Sequence, residues 1–90
     1  MNKDRRKDIA ELAKAVSELD ETLEMLRDRA GEIRDEEQEY VDNMPESFRY
    51  GERGYAAEEA ISNLDDAASA LDDMSSGISD IISSLDTAAE

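Results

Sequence analysis

The chain has no cysteine, no histidine and no tryptophan, a single proline and only four aromatic residues among its 90 positions. Without cysteine there is no disulfide framework and no thiolate metal site. Without histidine the usual general base and the commonest transition-metal ligand are both missing. Apolar runs are a few residues at most, too short to cross a membrane. The start, Met1 to Lys7, is basic, but no apolar stretch follows it, so a secretory signal is not expected. Ninety residues make one small domain, near the lower limit for a self-sufficient core.

What the chain has in excess is negative charge, −15 overall and unevenly spread. Residues 1–44 hold eight bases and fourteen acids, residues 45–55 two of each, and residues 56–90 nine acids and no base. Such a field repels nucleic acid and anionic membrane and attracts basic protein surfaces. Solubility alone would also account for it.

The apolar residues of the first half, Ile9, Leu12, Val16, Leu19, Leu23, Leu26, Ala30 and Ile33, alternate in steps of three and four. Tyr40 and Met44 extend the pattern beyond one interruption at Glu37. The spacing predicts a helix over about 4–42 with a heptad seam, Ile9 at a and Leu12 at d. A second helix over about 56–89 repeats the pattern from Ala57 through Ile61, Leu64, Leu71, Ile78 and Leu85 to Ala89. Here position g adds Ala60, Ala67, Met74, Ile81 and Ala88, so the apolar face is wider than a two-stranded seam. Acids keep to e and f, among them Asp65, Asp66, Asp72 and Asp73.

Residues 43–55 separate the helices. Pro45 forbids an unbroken helix and pushes Met44 out of helical geometry, while opening a short turn of its own. Gly51 and Gly54 are expected to supply flexible or left-handed positions. The expected fold is all-α: an antiparallel helical hairpin forming one domain over 1–90. Pairing a with d sets Leu23 by Ile78, Leu26 by Ser75 and Val16 by Leu85, with Arg34 near Asp65 and Arg27 near Asp72. A lone hairpin buries only one seam, so assembly as a homodimeric four-helix bundle, or a higher oligomer, is expected.

The chain carries no nucleophile–base pair, no phosphate loop and no calcium loop. Glu21 and Glu24 have a spacing that carboxylate-bound Mg²⁺ enzymes use, but they point outward at f and b. No catalytic residue, metal site or cofactor is expected. The segment of mixed character is the connector: Tyr40, Phe48, Tyr50 and Tyr55 lie within sixteen residues, and Arg49 and Arg53 are the only bases after Arg34. Aromatic plus arginine is binding-site composition. A small cap on the hairpin, with arginines stacked on rings, has the same composition.

The run Asp35-Glu36-Glu37-Gln38-Glu39-Tyr40, with Asp42-Asn43-Met44-Pro45-Glu46-Ser47 and then Gly51-Glu52-Arg53-Gly54, resembles a signature of small acidic helical proteins encoded by bacteriophages and prophages. The likeness covers about residues 32–60; the flanking helices share only the style. It implies a phage-type protein in the host cytoplasm, with a host-directed role such as blocking a defence or replication protein. The functional expectation is therefore a non-enzymatic protein that occupies a basic host surface, through the connector residues and the acids Asp65, Asp66, Asp72 and Asp73. Two alternatives stand beside it: an oligomeric binder of a small anionic ligand such as a signalling nucleotide, and a Mg²⁺-dependent nucleotide hydrolase.

Overall fold

The computed structural model describes residues 1–90 and is all-helical. Helix α1 spans Lys3–Asp42, a single turn α2 spans Glu46–Arg49, and α3 spans Glu52–Ala88. Asn2 caps α1, its Oδ1 accepting the Arg5 N–H at 2.8 Å, and Asp4 lies favourably in the first turn. The helix ends where Pro45 requires it to: Asn43 donates back to the Glu39 carbonyl at 3.0 Å, and Met44 leaves the helix. Pro45 stands at the N-cap of α2, where its carbonyl accepts from Phe48 and Arg49, both at 2.9 Å.

α3 begins at Glu52, four residues before the expected start, so Gly54 and Tyr55 belong to a helix rather than to the connector. Neither Gly51 nor Gly54 adopts a left-handed conformation; no residue of the chain has positive φ. Gly54 is required for a different reason. It is buried, and a Cβ placed there would meet the Arg49 carbonyl oxygen at 1.8 Å. α2 crosses α3 at Gly54, where no side chain obstructs it.

α1 and α3 run antiparallel along a rod measuring 69 × 14 × 13 Å. The polar contacts between them fix the register. Arg6 donates to the Glu90 carbonyl (3.4 Å), Ser75 to Asp20 (2.7 Å), Arg27 to Asp72 (2.9 Å) and Arg34 to Asp65 (3.1 Å). The last two are the flanking pairs that the sequence predicts. Ser75, expected beside Leu26, donates its hydroxyl to Asp20. Exposed ion pairs of this kind contribute at most about 1 kcal/mol each, so they define register more than they supply stability.

Only six residues are buried: Leu23, Val41, Gly54, Ala57, Ile61 and Ile78. Val41, Ala57 and Ile61 form a cluster next to the connector. α3 turns its a and d rows inward as expected, but α1 does not. Its inward rows are a and e: Ile9, Val16, Leu23 and Ala30 with Ala13, Asp20, Arg27, Arg34 and Val41. The d row, Leu12, Leu19, Leu26, Ile33 and Tyr40, stays 38 to 52 % exposed. The buried line is thus turned about 50° around the helix from the apolar line of the sequence. Two helices share a single strip, and α3 lies on the Val41 side, the side from which Arg27 and Arg34 reach their aspartates. α3 leaves the d row uncovered.

Candidate functional site

The end of the rod that carries the connector holds an open groove of about 510 Å³. Glu36, Glu39 and Tyr40 line it from α1, Asn43, Met44 and Pro45 from the link, Phe48 from α2 and Arg53 from α3. The local sequence explains the convergence. Glu36, Tyr40 and the C-cap residue Asn43 recur at helical spacing and share one face. Pro45 turns the chain so that α2 lays Phe48 across that face. The close crossing at Gly54 brings Arg53, one residue earlier, over the Phe48 ring at 5.4 Å from its centre.

Tyr40, Phe48 and Arg53 therefore come together as the connector composition suggested. Tyr50 and Tyr55 do not line the groove and are exposed, and Arg49 contributes its backbone to the Gly54 crossing. Glu36, Glu39, Asn43, Met44 and Pro45 also line the site; the sequence places them in the phage-like run but does not mark them as binding residues. Glu36 and Glu39 look like any solvated helix face; beyond their place in the phage-like run, the available signal is that Glu36 lies four residues before Tyr40 and Glu39 four before Asn43. Neither forms an ion pair within the chain. The groove thus combines two free carboxylates, two aromatic rings and one guanidinium already stacked on a ring.

The acids of α3 divide into two groups. Asp65 and Asp72 are held by Arg34 and Arg27. The Arg27 guanidinium is shifted above its ordinary range, chiefly by its hydrogen bond to Asp72 and then by that to Asp28. Asp66 and Asp73, one position further round, are exposed and form no ion pair. Glu37, the interruption in the first heptad run, is half-buried and likewise unpaired. No three acidic side chains gather in a metal-holding arrangement, Glu21 and Glu24 included. No helix is long and apolar enough to cross a membrane. Compared with known protein families, with curated proteins and with solved structures, the chain matches none.

Proposed function

We propose that this chain is a non-enzymatic interaction protein that works as a homodimeric four-helix bundle, binding and blocking a host protein through that protein's basic surface. The observation that carries the reading is the composition of the tip groove. Glu36 and Glu39 beside Tyr40 and Phe48 suit a lysine or arginine side chain from a partner, with carboxylates for its charge and rings for its stem and face. Asp66 and Asp73 extend the same sign of charge along α3 and would steer the approach of a basic surface. The phage-like signature supports a host-directed role, because its segments supply most of the groove: Glu36, Glu39, Tyr40, Asn43, Met44, Pro45 and Arg53. A small anion is a poorer occupant, since Arg53 is engaged by Phe48 and two free carboxylates stand beside it.

Capture from bacterial lysate with three forms of the chain tests this. The wild type should retain a basic protein in stoichiometric amount, and Phe48→Ala should lose it while keeping its helical content. Asp66→Asn/Asp73→Asn should retain it with a slower association rate and a flatter salt dependence, because exposed charges act mainly on encounter. A large thermal shift with a single nucleotide, and no protein lost by the tip variant, would support the anionic-ligand alternative instead. Metal-dependent release of phosphate from nucleotides would make the chain an enzyme.

A further inference from the structure

The hairpin has two unlike long faces. On one, the e rows of both helices meet in the Arg27–Asp72 and Arg34–Asp65 pairs. On the opposite one, the d row of α1 rises beside the g row of α3, where Met74 and Ile81 are 55 and 49 % exposed. In a chain of net charge −15, the c and g rows of α3 carry no charged side chain between Ala67 and Ala88. At Gly77, on that face, a Cβ would meet nothing within 4 Å, so the surface is open there. From Leu12 to Tyr40 the face is about 42 Å long. Across two helices about 10 Å apart this gives roughly 600–800 Å² per copy, close to one side of a stable protein interface.

The two rows share a symmetry. The d row of α1 is centred on Leu26, with Leu19 and Ile33 one heptad away on either side and Leu12 and Tyr40 two. The g row of α3 is centred on Met74, with Ala67 and Ile81, then Ala60 and Ala88, at the same offsets. The antiparallel register that pairs Arg27 with Asp72 puts Leu26 and Met74 at nearly the same level of the rod. A two-fold axis across the rod at that level maps both rows onto themselves, setting Leu19 against Ile33 of a second copy and Ala67, a small residue, against Ile81.

We infer that a second copy of this chain covers this face with the two tips at opposite ends, α1 lying on α1 and α3 on α3; the inference rests on the homodimer reading above and specifies its arrangement. The other two-fold arrangement, with tips together and α1 on α3, buries the same rows, and charge decides between them. Residues 1–14 hold five bases and three acids, whereas residues 28–46 hold eight acids and two bases. With tips apart, the basic start of each α1 lies along the acidic end of the other. With tips together, that acidic end lies along the start of α3, with Glu58, Glu59, Asp65 and Asp66, and both acidic tips crowd one end. The tips-apart bundle also sets one groove at each end, with Tyr40 at the border between groove and interface.

The chain has no cysteine of its own, which makes the test direct. Tyr50→Cys, spin-labelled at the exposed tip, is measured by sedimentation and by dipolar distance, and Leu26→Cys is oxidised in parallel. The expected result is twice the monomer mass, a tip-to-tip distance of about 60 Å and a Leu26→Cys dimer linked by disulfide. Twice the mass with tips within about 30 Å would overturn the arrangement and leave the homodimer reading intact. A monomer mass of 10.0 kDa would overturn both.

Discussion

Replacing Gly54 with alanine is expected to lower the melting temperature by roughly 10–20 °C, an effect of about 2–3 kcal/mol. The added methyl would stand 1.8 Å from the Arg49 oxygen, 2.5 Å from its carbonyl carbon and 2.9 Å from its Cα. All three are backbone atoms of α2, so no side chain can rotate away. α2 has to lift, which separates Phe48 from Arg53 and loosens the Val41–Ala57–Ile61 cluster beside it. The same substitution at Gly31 provides the contrast. Gly31 lies inside α1 with nothing within 4 Å of a new Cβ, so alanine there raises stability by about 0.5–1 kcal/mol through helix propensity. Thermal unfolding followed by circular dichroism separates the two cases. A melting temperature for Gly54→Ala within two or three degrees of wild type would show that the α2–α3 crossing is not rigid.

Leu26→Asp is expected to dissolve the dimer while leaving each helix formed. Leu26 is half exposed in the hairpin itself, so a carboxylate costs the monomer little. In the proposed bundle it would lie on the two-fold axis, so every change would count twice and two like charges would face each other in an apolar layer. A penalty of about 2–3 kcal/mol per copy weakens association by roughly 10³-fold or more. Met25, the next residue back, is 70 % exposed and lies on the c row, on the far side of α1 from the seam. Met25→Asp should leave the association constant within twofold of wild type. Equal effects at the two positions would mean that generic apolar surface, rather than this face, drives assembly.

The sequence made some features legible and hid others for identifiable reasons. The heptad steps from Ile9 to Ile33 and from Ala57 to Ala89 define two long helices, and Pro45 between them forces the chain to turn. The Arg34–Asp65 and Arg27–Asp72 pairs follow from an antiparallel register, because flanking charges are fixed once the register is. The rotation of α1 was not legible. A stripe of apolar residues tells which side of a helix wants cover, not which neighbour supplies it, and here α3 covers a and e while d remains open. The start of α3 at Glu52 was missed because the glycines at 51 and 54 read as loop residues, whereas Gly54 serves a close approach between two helical segments. The tip groove was half legible. Its aromatic and arginine members stand out in composition, but Glu36 and Glu39 are two acids among 25 and acquire meaning only when the fold brings Phe48 and Arg53 to the same groove.

The account rests on one claim above the others: the apolar face made by the d row of α1 and the g row of α3 is covered by a second copy, side by side, leaving the free acids of α3 outside. X-ray scattering in solution combined with light scattering tests it most directly. The hairpin alone has a mass of 10.0 kDa, a length of 69 Å and a radius of gyration of 20.2 Å. The predicted result is a doubled mass with the length nearly unchanged, because a second rod lying alongside thickens the particle without extending it. A particle of monomer mass, or a doubled mass with a markedly longer particle joined end to end, would contradict the account.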